Sequence, residues 1–148
     1  MKHYKTAESV TKGHPDKLCD YIADSILDSY LQKDPESRVA VEVMATKGLI
    51  LVAGEVTSTA KVHIRKVVKY TLRSAGYTPS EFRIKVRLHK QSPDIARGVN
   101  RSEDLLGAGD QGIVYGYATD ETPGFLPLAL VLARRLTSRL EEVRENSV

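Results

Sequence analysis

An α+β fold, with helices packed on one face of a mostly antiparallel sheet, follows from three features of this 148-residue sequence. Segments 15–31, 59–75 and 127–144 carry apolar residues at helical spacing. Runs 38–45 and 49–57 are β-rich and separated by a short glycine-containing connector. The resulting order is helix, hairpin, helix, strand, long loop, strand, helix, and a hairpin mixed with helices favours segregated layers.

The first helix starts at Pro15, whose missing N–H costs nothing in a first turn. Leu18, Ile22, Ile26 and Tyr30 recur every four residues, with Cys19, Leu27 and Leu31 widening the stripe. Asp16 and Asp20 complement the positive end of the helix dipole, and Asp34-Pro35 ends the helix. Val39, Val41 and Val43 then alternate with Ala40, Glu42 and Met44, and Thr46-Lys47-Gly48 connects to 49–57 as a hairpin. The second helix takes Ser58 or Thr59 as its cap and Gly76 as its stop. Its apolar face is Ile64, Val68, Leu72 and Ala75. Phe82, Ile84, Val86 and Leu88 alternate with Arg83, Lys85, Arg87 and His89, a strand with one apolar and one basic face. From 91 to 111 the periodicity disappears, and a loop of about 20 residues inside a compact domain marks a functional or mobile segment. Residues 112–119 read as another short strand. The last helix aligns Leu128, Leu132, Leu136, Leu140 and Val143 on one face.

Composition narrows the function classes. With 22 Lys+Arg against 19 Asp+Glu the formal charge is only +3, a weak field for polyanions. The single cysteine, Cys19, excludes a disulfide framework and an all-cysteine zinc site. It reads as a buried small hydrophobe. No run approaches the ~20 apolar residues of a membrane-spanning helix, and the first residues lack a signal-peptide core. The expectation is a cytoplasmic, globular protein.

Four features carry chemistry. In Gly13-His14-Pro15-Asp16-Lys17 a loop runs into a helix, whose first N–H groups and dipole suit phosphate. His14 and Lys17 add donors, and Asp16 is a carboxylate able to hold Mg²⁺. An ordinary cap with surface charges is the simpler reading on composition alone. The string 107–112 matches G-x-G-x-x-G, but a polar loop precedes it and a strand follows, so the dinucleotide fingerprint fails. A glycine loop carrying Asp110 remains, and a plain turn explains it equally well. Glu42 and Glu55 sit on the two hairpin strands, where a bound ion or a substrate ammonium would satisfy them. Pattern alone favours a surface salt bridge. The basic strand face reads as solvated rather than as a nucleic-acid track, because a single aromatic, Phe82, lies nearby and on the other face.

Taken together, these segments resemble the N-terminal part of the S-adenosylmethionine synthetases. The resemblance rests on Glu8-Ser9-Val10 with Gly13-His14-Pro15-Asp16-Lys17, on Gly54-Glu55-Val56-Thr57, and on Gln91-Ser92-Pro93-Asp94-Ile95. It continues through 107–112 and Gly116-Tyr117-Ala118-Thr119-Asp120-Glu121-Thr122. It implies one complete synthetase-type repeat over 1–100 and the start of a second over 101–148. It further implies a transferase that joins L-methionine to ATP and expels and hydrolyses triphosphate, with Mg²⁺ and K⁺ as cofactors. His14 and Lys17 match catalytic positions, His14, Asp16 and Asp110 match ATP-binding positions, and Asp16 matches a Mg²⁺ ligand. Glu42 matches a K⁺ ligand, and Glu55, Gln91, Ile95 and Asp110 match methionine-binding positions. Gln91, Ser92, Pro93, Asp94, Gly107 and Gly109 fall in a gate over the site. The implied partners are ATP, methionine and further chains in a homo- or hetero-oligomer supplying the domains that follow in the family, with no nucleic acid and no membrane. The alternative is a non-catalytic paralogue that binds or regulates a full-length synthetase.

Overall fold

The computed structural model describes residues 4–90, 100–102, 105–106 and 112–146. The chain forms two compact units, one of residues 15–112 and one in which residues 1–14 join residues 113–148.

In the larger unit, helix α1 (Pro15–Leu31) is followed by strands β1 (Arg38–Thr46) and β2 (Leu49–Thr57), helix α2 (Ile64–Ser74), a single 3₁₀ turn and strand β3 (Arg83–His89). The sheet order is β1-β2-β3. β1 and β2 pair antiparallel as expected, through a two-residue connection in which Gly48 takes φ of 70°. β3 pairs parallel to β2 after a crossover through α2. A further antiparallel pair, β4 (Asn100–Ser102) with β5 (Leu105–Leu106), lies where periodicity alone suggests structureless loop. The class is therefore α+β, and two of the three strand pairings among the described residues are antiparallel.

One cluster holds the unit together. Leu18, Ile22, Ile26 and Tyr30 of α1 meet Ile64, Val68 and Leu72 of α2 and Ile50 and Val52 of β2. Val39, Val41, Val43, Ile84, Val86 and Leu88 pack around it, so both helices cover the same sheet face. α2 ends in a Schellman motif: Tyr77 N–H bonds the Leu72 carbonyl, Gly76 N–H bonds that of Arg73, and Gly76 adopts φ of 88°.

The start of α2 differs from the sequence expectation by five residues. Asp34 draws Ser58 and Thr59 out of any capping role, its Oδ2 accepting from Thr59 N (2.7 Å), Thr59 Oγ1 (2.9 Å) and Ser58 Oγ (2.9 Å). These four bonds (with Glu36 N–H on Oδ1) hold the Asp34 carboxyl at about 2, the Thr59 N–H contributing most.

In the other unit, α3 (Leu128–Glu145) carries the N-terminal arm alongside it. Ser9 Oγ and Thr137 Oγ1 lie 3.0 Å apart, Lys12 N–H bonds Glu141, and the Lys12 ammonium pairs with Glu145. Residues 112–119 form no strand among the described residues, against the expectation, because no ladder partner pairs with them there. No helix is long and apolar enough to cross a membrane among the described residues.

Candidate functional site

Strand parity decides where the charged groups stand. Ile50 and Val52 point into the core, so Val39, Val41 and Val43 on β1 and Ile84, Val86 and Leu88 on β3 share that inner face. The outer face then receives Ala40, Glu42 and Met44 from β1, Leu49, Leu51, Ala53 and Glu55 from β2, and Arg83, Lys85, Arg87 and His89 from β3. Glu55 lies between Ala40 and His89 in the register, and Ala53 lies between Glu42 and Arg87. The two carboxylates are thus diagonal neighbours on one face, flanked by a basic row. Glu42 is exposed and Glu55 half-buried. Among the described residues neither forms an ion pair, so the salt bridge expected from pattern is not made there. A groove of about 640 Å³ runs over the basic row, lined by Leu49, Leu51, Arg65, Arg83, Lys85 and Arg87.

α1 starts as expected at Pro15, with Asp16 and Lys17 exposed in its first turn. In the preceding loop the half-buried His14 donates its N–H to the Thr11 carbonyl at 3.0 Å. A mainly apolar cleft of about 590 Å³ opens beside Pro15 and Leu18, closed on other sides by Lys47, Tyr77 and Phe82. The Tyr77 and Phe82 rings meet edge to face at 5.5 Å. Cys19 is only partly buried, which corrects the expectation of a core thiol. That burial still lifts its ionisation above the ordinary range, partly offset by a bond with the Ala45 backbone.

Among the described residues, the site residues are not gathered into one pocket within this unit. α1 packs on the inner sheet face, whereas Glu42 and Glu55 stand on the outer one. Glu8 is exposed on the N-terminal arm. Gln91, Ser92, Pro93, Asp94, Ile95, Gly107, Gly109 and Asp110 lie outside the described residues.

Glu121 has a role that motif reading does not assign. Its Oε2 accepts the Leu128 N–H at 3.0 Å, satisfying a free donor at the start of α3, and its Oε1 meets the Lys5 ammonium at 2.7 Å. Lys5 foremost, and then the Leu128 N–H, hold the Glu121 carboxyl below its usual value. The usable signal is an acidic residue ahead of a long apolar run, although six residues lie between it and the helix.

Fold and site together define an α+β protein with two carboxylates beside a basic row, neither ion-paired among the described residues, and an acidic and basic first turn on its longest core helix. Residues 2–96 match the S-adenosylmethionine synthetase N-terminal domain, and residues 105–148 match the central domain of the same enzymes. The S-adenosylmethionine synthase of Deinococcus deserti is 46% identical over 99% of this chain, and that of Pseudothermotoga lettingae is 46% identical over 100%. The Synechococcus enzyme of the same name is 49% identical over 95%. The chain belongs to the S-adenosylmethionine synthetase family. It spans 42%, 42% and 38% of the length of these three relatives.

Proposed function

We propose that the chain supplies part of a methionine adenosyltransferase site, working in the cytoplasm on ATP and L-methionine. The methionine sulfur attacks C5′ of the ribose, the C5′–O bond breaks, and triphosphate departs before its hydrolysis to phosphate and diphosphate. A neutral thioether needs no base. Catalysis then rests on alignment and on stabilising the charge of the leaving triphosphate. One observation carries the reading: a 17-residue helix starts within the His14-Pro15-Asp16-Lys17 motif, turning the positive end of its dipole towards an anion.

In this reading His14 and Lys17 meet the triphosphate, Glu55, Gln91 and Ile95 hold methionine, and Asp110 contacts both substrates. Gln91, Ser92, Pro93, Asp94, Gly107 and Gly109 belong to a gate that excludes water. Asp16 would hold Mg²⁺ and Glu42 K⁺. No group of three or more His, Cys, Asp and Glu able to hold a metal occurs among the described residues. Mg²⁺ needs no such cage, since it binds through one or two carboxylates together with substrate phosphates and water. When bound, these ions neutralise triphosphate charge and fix its orientation.

That α1 and the Glu42–Glu55 face lie on opposite sides of one sheet supports a reading in which turnover takes place in an oligomer, together with the domains that the relatives carry beyond the match. The test supplies ATP, methionine, Mg²⁺ and K⁺ to the chain alone and to the chain co-expressed with the part of the Deinococcus deserti enzyme beyond its match. S-adenosylmethionine should form only in the second case, and His14→Ala should abolish it. Full activity of the His14→Ala complex would instead favour the non-catalytic paralogue.

A further inference from the structure

The boundary between the two units falls inside the His14-Pro15-Asp16-Lys17 motif. His14 closes the unit that contains α3, and Pro15 opens the other. The arm leading to His14 is fastened to its own unit at three levels. At the start of α3, the Lys5 ammonium meets Glu121, whose other oxygen accepts the Leu128 N–H. Midway, Thr137 Oγ1 donates into its own helix, towards the Ala133 and Arg134 carbonyls. Ser9 Oγ is then the donor in the 3.0 Å contact between Ser9 and Thr137. Near the helix end, Glu141 accepts the Lys12 N–H, and Glu145 pairs with the Lys12 ammonium. That ammonium, by its hydrogen bond first and its charge second, holds the Glu145 carboxyl below its ordinary value. Thr137, Glu141 and Glu145 follow one another at four-residue spacing and so form one row along α3.

Little slack remains between the outer fastenings. The seven residue steps from Lys5 to Lys12 can span at most about 25 Å. Leu128 and Glu141 mark the first and last levels on the helix, and 13 residue steps separate them, about 20 Å. From Lys12 the hold reaches His14 through one turn, closed by the His14 N–H on the Thr11 carbonyl at 3.0 Å. Lys12 is the second residue of that turn, so gripping its N–H and its ammonium fixes the turn itself.

We infer that Glu141 and Glu145 are positioning residues for His14: by gripping Lys12 inside the Thr11–His14 turn, α3 sets where the imidazole stands. The inference rests on the proposed role of His14 at the departing triphosphate, and the two carboxylates act on that role through the backbone. Glu141 does more of the work. It accepts a backbone N–H as a charged acceptor, a directional bond. The Lys12–Glu145 pair joins two partly exposed side chains and contributes little by itself. A reaction that depends on alignment makes such a hold visible, because a misplacement of about 1 Å can cost about 100-fold in rate.

Two readouts test this. In the chain by itself, amide hydrogen exchange is followed by nuclear magnetic resonance in the parent, Glu141→Ala, Glu141→Gln and Glu145→Ala. Glu141→Ala should speed exchange at Lys12 and His14 by at least about tenfold, the loss expected for a bond to a charged acceptor. The amides of the fully buried Val52 and Val68 should not change. Glu141→Gln still offers an acceptor oxygen and should stay within about threefold of the parent, and Glu145→Ala should have the smaller effect of the two alanine variants. Alanine favours helix, and circular dichroism checks that α3 persists. Lys12→Pro removes the same N–H from the other side, at a turn position that accommodates proline, and leaves α3 untouched.

The second readout is turnover by the chain co-expressed with the part of the Deinococcus deserti enzyme beyond its match. Glu141→Ala and Lys12→Pro should each lower kcat at least about tenfold with KM for methionine nearly unchanged, and Glu141→Gln should keep most of kcat. Unchanged exchange at His14 in Glu141→Ala would overturn the inference, as would faster exchange with kcat unaltered. So would a kcat loss that glutamine fails to restore, because the residue would then act by its charge and not by its bond to Lys12. A parent complex that forms no S-adenosylmethionine would refute the proposed activity, and the exchange result would then decide the inference by itself.

Discussion

Gly54 is the position at which fold and site are most tightly joined, and replacing it by alanine tests that joint. Its φ is 139°, which L-residues rarely adopt, and it occupies the inner face of β2 opposite Val41. A Cβ there would stand 3.0 Å from Val41 Cα and 3.1 Å from the Ala40 carbonyl carbon, with the Ala40 oxygen closer still. All three are backbone atoms, so no rotamer change relieves the overlap and β1 must move away from β2. Strained φ costs about 1–3 kcal/mol, and the strand displacement adds to it, so Gly54→Ala should lose about 2–4 kcal/mol. Gly48→Ala is the control: its φ is also positive, at 70°, but its added Cβ meets nothing nearer than the Glu81 carbonyl oxygen at 3.7 Å. That change should cost about 1–2 kcal/mol. In urea titrations followed by far-ultraviolet circular dichroism, a slope of about 2 kcal/mol/M turns the larger loss into a midpoint drop of roughly 1–2 M. If Gly54→Ala proves no more costly than Gly48→Ala, the overlap with the Ala40 backbone does not constrain the hairpin and the reasoning fails.

Two further outcomes follow from the core and its polar clasp. Ile22, fully buried between α1, α2 and the sheet, should cost about 2–5 kcal/mol on truncation to alanine, measured by the same titration. A loss below about 1 kcal/mol would mean that the cluster is not the core. Asp34 is held at about 2, below its ordinary 3.8, so its contribution is complete above about pH 4 and is lost as pH falls towards 2. Between those values the parent should lose stability more steeply than Asp34→Asn, and equal slopes would refute the clasp.

The parts of the fold that periodicity reveals are those whose partners are near in sequence. α1, the hairpin and β3 were legible because apolar spacing of four or two residues declares which side is buried before any partner is known. The parallel pairing of β2 with β3 was not, since its register depends on a crossover through α2 and not on local pattern. The start of α2 was misread for a chemical reason. Ser58 and Thr59 have the side chains of helix caps, but Asp34, distant by more than twenty positions, engages both. The run 112–119 has the composition of a strand, but composition supplies only one side of a ladder. The site followed the same division. The helix start at His14-Pro15-Asp16-Lys17 was readable from sequence, whereas the shared face of Glu42, Glu55 and the basic row needed the register. Glu121 as a cap on α3 needed the winding of 119–127.

Parity makes the placement of those carboxylates a thermodynamic consequence of the core. A one-residue slip of β1 would turn Val39, Val41 and Val43 outward and carry Glu42 inward. A slip of β2 would do the same with Ile50, Val52 and Glu55. Either would uncover three apolar side chains, or two, and bury an ionised group without a partner, which costs several kcal/mol. The competing registers are therefore excluded by more than the stability a small domain has in reserve. Gly48 sets the turn and Gly54 permits the close approach of β1, so the two glycines fix the register that the core then enforces. A substitution that loosens the inner face should for that reason alter the outer one, and the distance between Glu42 and Glu55 is the quantity that would report it.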